Sequence, residues 1–169
     1  MNIQFYRDQF EHEIDCNEKM FAMLSGVPKS TQSDPRFQRA VSIVDHLVAC
    51  RENWLDLFLT SGLNQVRWYD EDADLEAVQA RYGKMQADWL VFLGELSDDE
   101  LSLDRKFPEG DGVTNWHFEG QIIQLMGHAH YHRGQVTLLV DQLGGEVVDT
   151  DYANFILENS DKYGWKPGA

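Results

Sequence analysis

The sequence is short of basic residues, cysteine and long apolar runs, and each shortage excludes a class of protein. Fourteen lysine and arginine residues stand against twenty-nine aspartate and glutamate residues, so the formal net charge is −15. The basic residues are dispersed from Arg7 to Lys166 and form no cluster. A chain with this charge distribution repels phosphate backbones and anionic lipid surfaces. We therefore expect neither a nucleic-acid partner nor a membrane partner.

The two cysteines, Cys16 and Cys50, are too few for a disulfide framework, and we expect both to stay reduced. No segment approaches a membrane span of uncharged apolar residues. Residues 1–8 lack a basic start followed by an apolar block, which argues against a secretory signal and for the cytoplasm. With 169 residues, 43% of them hydrophobic, we expect one domain over residues 1–169.

Several motifs of enzymes and metal proteins are also missing. The sequence contains no Glu-x-x-His and no His-Glu-x-x-His, which are typical of ferritin-like di-iron sites and zincin proteases. It has no Cys-x-x-Cys, no glycine-rich phosphate loop and no Gly-x-Ser-x-Gly. A zinc ribbon, a P-loop NTPase and an α/β-hydrolase are therefore unsupported.

Hydrophobic periodicity predicts four long helices, at about residues 2–24, 35–59, 73–96 and 115–144. Asp34 followed by Pro35 is typical of a helix start, and Gly62 and the Gly144–Gly145 pair are natural stops. Ser97 and Glu100 fit a capping box. Residues 107–112 are predicted to form a turn between two short extended pieces, and residues 152–158 a short helix. The fold class is therefore all-α, a four-helix bundle.

His128 and His132 carry the strongest chemical signal in the chain. Their spacing of four residues places both rings on one helix face, one turn apart, where they can bind one metal ion together. The alternative is a solvated polar stripe at the border of the core. His130 points to the opposite side of the helix, and His117 lies too far along it to bind the same ion.

His46, in the middle of the second predicted helix, is the candidate third ligand. Taken alone, it is better interpreted as a partly buried histidine with one satisfied hydrogen bond. Cys50, one turn later on the same face, is a small core residue, a fourth ligand or a redox-sensitive neighbour. For His12, His117 and His130 we expect a surface or packing role. The surviving metal class is a mononuclear three-histidine site with an open position.

Residues 128–135 resemble the His-x-x-x-His-Arg-Gly-Gln signature of the DinB-like superfamily, whose bundle is shared by the YfiT-like metal-dependent hydrolases. The segment 44–47, with Trp54 after it, looks like the first ligand region of that family. The resemblance covers nearly the whole chain. One departure is His130, because many relatives instead carry an extra histidine directly beside the final ligand.

The resemblance implies a four-helix bundle of the DinB/YfiT-like type, often a homodimer. It implies a divalent metal, zinc or nickel first, held by His46, His128 and His132. Some members transfer low-molecular-weight thiols such as bacillithiol or mycothiol to a small electrophilic substrate. A thiol S-transferase is the first hypothesis on resemblance alone. Gln135 would orient a ligand or water, Arg51 or Arg133 would offset the charge of an anionic thiol, and no residue stands out as a general base.

Two alternatives stay open at this stage. A metal with an open position can equally activate water, which gives a metal-dependent hydrolase. The ion can also be purely structural, in a metal-stabilised bundle that binds a partner or serves a stress response.

Overall fold

The computed structural model describes residues 2–60, 68–109 and 112–164, with the backbone alone for residues 107–109. Four long helices dominate: α1 (Ile3–Ser25), α2 (Pro35–Thr60), α3 (Leu75–Glu95) and α5 (Phe118–Gln142). The shorter elements are α4 (Asp98–Leu101), β1 (Asp104–Glu109), β2 (Gly112–His117), α6 (Tyr152–Glu158) and α7 (Ser160–Tyr163). The all-α prediction is confirmed, and the predicted helix stop at Gly62 lies outside the described residues.

Polar side chains fix most of the helix starts. The Asn2 side chain accepts a hydrogen bond from the Phe5 amide at 3.1 Å, and the Asp34 carboxylate accepts one from the Arg36 amide at 2.9 Å. The third long helix was predicted to begin near residue 73 but begins at Leu75. The reason is Asp74, whose extended backbone and side-chain bond to the Ala77 amide make it the N-cap.

The fourth long helix was predicted to begin near Asn115, and this boundary is wrong. Residues Gly112–His117 instead form strand β2, which pairs antiparallel with β1 from Asp104↔His117 to Glu109↔Gly112. The backbone N–H and C=O groups of β2 pair with β1 and are therefore not available for helical hydrogen bonds. Helix α5 therefore starts only at Phe118, with His117 as N-cap accepting from the Gly120 amide at 3.1 Å. The two predicted extended pieces are confirmed, although the tip at residues 110–111 lies outside the described residues.

Helices α2 and α5 run antiparallel. Contacts at their two ends show which part of α2 lies opposite which part of α5. Thr31, just before α2, donates to the Leu143 carbonyl beyond the end of α5. At the other end, the rings of Phe58 and Phe118 meet edge to face with centroids 4.8 Å apart. His46 lies between these two contacts along α2 and therefore faces the middle of α5.

A single apolar cluster joins the long helices, and its largest fully buried side chain is Trp89 of α3. The Trp89 indole N–H donates to the Arg51 carbonyl of α2 at 2.9 Å, so the one polar group of this buried ring has a hydrogen-bond partner. Truncating a tryptophan in such a position costs on the order of 3–5 kcal/mol.

Helix α5 ends at Gln142, two residues before the Gly144–Gly145 pair. Gly144 adopts the left-handed conformation at φ 76°, and a side chain on Gly145 would meet Val140 Cγ1 at 2.7 Å. The chain then returns along α1, where α6 packs Phe155 against the ring of His12 with centroids 5.1 Å apart. In the part of the chain that the structure describes, no helix combines the length and the apolar character that crossing a membrane requires.

Candidate metal centre

Three imidazole rings from two helices converge at the edge of the bundle. The Nε2 atoms of His46 and His128 lie 3.3 Å apart, and those of His128 and His132 lie 3.0 Å apart. One ligand atom from each ring falls within 4.8 Å of the other two, and all three side chains are half-buried. The structure thus brings together the three histidines that the sequence and the resemblance selected.

Hydrogen bonds on the outer side of two rings fix which nitrogen carries the proton. The Nδ1–H of His46 donates to the Trp68 carbonyl at 2.5 Å, and the Nδ1–H of His132 donates to Gln135 Oε1 at 2.8 Å. A neutral imidazole that is protonated at Nδ1 has its lone pair on Nε2. Both Nε2 lone pairs therefore point toward the common centre, as they do when histidine binds a metal.

The spacing of these atoms suits a transition-metal ion. With metal–nitrogen bonds of about 2.0–2.1 Å, adjacent ligand nitrogens are roughly 3.3 Å apart in a tetrahedral site and roughly 2.9 Å apart in an octahedral one. The two nitrogen–nitrogen distances of 3.3 and 3.0 Å span this range. Three imidazoles leave at least one coordination position to a further ligand.

The surroundings of His128 and His132 favour the neutral form of these two rings. Burial, helped by the charges of His132, His46 and Arg51, lowers the pKa of His128 to about 4. Burial also lowers the pKa of His132, against the opposing effect of its hydrogen bond to Gln135. Since a protonated imidazole cannot bind a metal, both shifts favour metal binding near neutral pH.

Cys50 borders the centre without joining the group. Its Sγ lies 3.6 Å from both ring nitrogens of His46, and its side chain is buried. Burial raises the pKa of the Cys50 thiol to about 12, so the thiol is neutral in the metal-free protein. Among the interpretations left open by the sequence, this geometry favours a small core residue that packs against the His46 ring.

The other three histidines lie apart from the group. His117 caps α5 at its N-terminus. His130 Nδ1 accepts from the guanidinium of Arg133 at 2.8 Å. His12 is buried, and its Nε2 lies 3.0 Å from Cys16 Sγ and 3.2 Å from the Thr150 carbonyl. The predicted surface or packing role describes His12 and His130, whereas the capping contact of His117 was not predicted.

Two predicted roles change when the contacts are known. Gln135 accepts a hydrogen bond from the ring of His132 and so orients a member of the converging group, where the sequence suggested that it orients an incoming ligand or water. Arg51 is buried in an ion pair with Glu13, and Arg133 is buried beside Asn17. Both guanidinium groups are therefore engaged inside the protein, and Arg51 lines a small pocket together with His128. The Trp68 carbonyl was missed because a backbone acceptor leaves no trace in residue type.

Comparison with known proteins places these residues in a family context. The model of the DinB family matches residues 8–162. Protein DinB of Bacillus subtilis (strain 168) is 19% identical over 157 residues, which cover 87% of this chain and 91% of that protein. No solved structure matches the chain.

Proposed function

The chain belongs to the DinB family, and on this premise we propose that it is a metal-dependent thiol S-transferase. His46, His128 and His132 hold one divalent ion, zinc or nickel first, and the open position takes a low-molecular-weight thiol. The observation that carries the proposal is the convergence of three Nε2 atoms, two of which, on His46 and His132, have lone pairs aimed by the Trp68 carbonyl and Gln135.

The chemistry of such an ion explains how a thiol can be activated. A divalent ion bound by three neutral imidazoles keeps its full charge and lowers the pKa of a thiol or of water at the open position. A thiol activated in this way needs no general base, whereas many hydrolases add one. Within the described ranges, the group of converging ligand atoms contains histidines alone and no carboxylate. Three histidines with an open position can also activate water, so the preference for a thiol comes from the family resemblance, and the assays below decide between the two reactions.

The side chains around the group supply orientation. The two outer hydrogen bonds hold the rings of His46 and His132, so the open position keeps a fixed direction relative to the bundle. Gln121 is buried and donates to Gln124 at 3.0 Å. Gln124 itself is exposed and lies on the same face of α5 as His128. An electrophile bound along this face would lie beside the activated sulfur.

The test is thiol transfer to monochlorobimane. In this reaction the thiol loses its proton, a carbon–sulfur bond forms, the carbon–chlorine bond breaks and chloride leaves. Metal-loaded protein should give turnover with at least one thiol of a panel that includes bacillithiol, mycothiol and glutathione. His132→Ala should lose this activity, and His130→Ala, a matched change two residues away, should keep it.

The failures separate the alternatives. Metal binding without turnover on any thiol, combined with metal-dependent cleavage of an ester or amide, would move the assignment to a hydrolase. Metal removal that unfolds the protein, with no activity in either assay, would support a structural ion in a partner-binding or stress-response protein.

A further inference from the structure

Arg39 lies on the same face of α2 as His46, seven residues before it. Seven residues are nearly two helical turns, so the two α-carbons share a face and are separated by roughly 10 Å along the axis. Because α2 and α5 are antiparallel, Arg39 lies on the side of the centre toward which α5 continues from His132 to Gln135 and Leu139.

Tyr69 connects Arg39 to the metal centre. The guanidinium of Arg39 donates to the Tyr69 hydroxyl and lies 5.3 Å from the centroid of the Tyr69 ring. The centroid of that ring lies 6.2 Å from the centroid of the His46 ring. The guanidinium is thus connected to the His46 ring through a single aromatic side chain.

Arg39 differs from its neighbours in having no acidic partner. Arg36, one turn earlier, pairs with Asp34 at 2.7 Å, and Arg81 on α3 pairs with Asp45 and Glu52. Over residues 2–60, 68–109 and 112–164, no carboxylate lies within ion-pair distance of the exposed Arg39 guanidinium. A guanidinium without a carboxylate, in a chain with twenty-nine acidic residues, is a preformed receptor for carboxylate or phosphate.

We propose that Arg39, steadied by Tyr69, is a specificity-determining residue that binds the anionic group of a ligand whose other end occupies the open metal position. The ligand class is a metal-binding molecule that carries a carboxylate or a phosphate at the end of a short arm. The inference rests on the proposed function, because it requires an ion at His46, His128 and His132. It replaces Arg51 and Arg133 as the source of positive charge for an anionic substrate.

The experiment measures binding and needs no turnover. Cobalt-substituted protein is titrated with alkyl hydroxamates of increasing length that end in a carboxylate, a phosphate or an alcohol, and the visible spectrum of cobalt reports occupancy. Hydroxamates bind divalent metals without any thiol chemistry. At the best length, we expect the anionic probes to bind about tenfold more tightly than the alcohol, because charge-assisted hydrogen bonds to arginine are among the stronger ones.

Two variants with the same charge change isolate Arg39. Arg39→Gln should bring the anionic probes to the affinity of the alcohol and leave the alcohol unaffected, while Arg36→Gln should preserve the preference. The preference should also shrink as salt is added, since the guanidinium is exposed. A larger effect of the phosphate probes than of the carboxylate probes, or the reverse, identifies which anion the site takes.

The outcomes distinguish this inference from the function on which it rests. Cobalt that fails to bind would overturn both. Cobalt that binds while all probes bind equally, or while the preference survives in Arg39→Gln, would overturn the inference alone. Loss of turnover with thiols, with the anionic preference intact, would overturn only the transferase assignment.

Discussion

The Nε2 atoms of His46 and His128 lie 3.3 Å apart although the two residues are 82 positions apart in the chain. Helix α2 supplies one ring and helix α5 the other, so the geometry of the centre depends on the packing of the bundle. Conversely, a metal bound here would cross-link two helices that also contact each other through Phe58 and Phe118. Site and fold can therefore be tested by the same variants.

The buried ion pair between Glu13 and Arg51 should be important for stability. Both side chains are nearly inaccessible, and the Arg51 guanidinium also lies 4.8 Å from the Trp89 ring centroid. Glu13→Gln leaves a buried cation without its counter-charge, which costs about 3–5 kcal/mol of the free energy of unfolding. Urea denaturation measures the loss, and Asp88→Asn, which breaks the exposed pair with Lys84, is the control. Equal effects of the two substitutions would contradict the role of burial.

In the metal-free protein, protonation of His128 in the unfolded chain should lower the free energy of unfolding as the pH falls from about 6.5 to about 4. The pKa of His128 is about 4 in the folded protein, whereas an unfolded chain has about 6.5. Above pH 6.5 neither state binds the proton, and this contribution to stability is complete. Between about 6.5 and 4 the unfolded chain binds the proton and the folded protein does not, so the free energy of unfolding falls with pH.

The variant His128→Gln lacks this titration and should show a weaker pH dependence. Because the ring is half-exposed, solvent screening reduces the effect, and we expect a difference on the order of 1 kcal/mol between pH 7 and pH 4.5. Urea titrations of the two metal-free proteins at several pH values measure it. Parallel curves would show that His128 titrates normally in the folded protein.

Gln135 should support the metal through His132. Replacing it with leucine removes the acceptor that holds Nδ1–H of the ring at 2.8 Å, and loss of such outer contacts typically weakens metal binding about 10–100-fold. Competition with a chromophoric chelator gives the affinity. Gln142→Leu, an exposed position on the same helix, should have no effect. Unchanged affinity in Gln135→Leu would mean that the ring is held by other contacts.

The homodimer stays a prediction, drawn from the resemblance and from the wide apolar coverage of the second helix. Light scattering at micromolar concentration should give twice the chain mass of 19.5 kDa. A mass equal to one chain at every concentration would contradict the dimer.

The absence of a nucleic-acid partner and the cytoplasmic location likewise stay predictions. A salt-dependent gel shift with duplex DNA would refute the first of them.

Local signals in the sequence were sufficient for most of the helices and for the ligand pair. His128 and His132 share one helix, so their relation follows from helical periodicity alone. Asp34 and the Ser97–Glu100 box marked helix starts because capping depends on a few adjacent residues, and the Ser97 amide does donate to Glu100 at 2.9 Å. Their bonds form within one turn, which is why sequence reveals them.

Features that depend on tertiary structure were less accessible. The start of α5 was misplaced because β2 gains its hydrogen bonds from β1, a partner that periodicity within the segment cannot show. The proposed third ligand, His46, was a candidate from the residues and was selected by resemblance, because its position along α2 relative to α5 depends on how the bundle packs. The Trp68 carbonyl and the pairing of Arg39 with Tyr69 were missed, because both contacts join α2 to the segment that precedes α3.

The measurement that tests the central claim most directly is elemental analysis of protein purified without a histidine tag. The account predicts close to one equivalent of divalent metal per chain, lost in His128→Ala and retained in His130→Ala. The two substitutions remove the same side chain two residues apart on α5, but His128 belongs to the converging group and His130 contacts Arg133. Equal metal content in the two variants, whether both retain the ion or both lose it, would contradict the assignment of His46, His128 and His132 as the site.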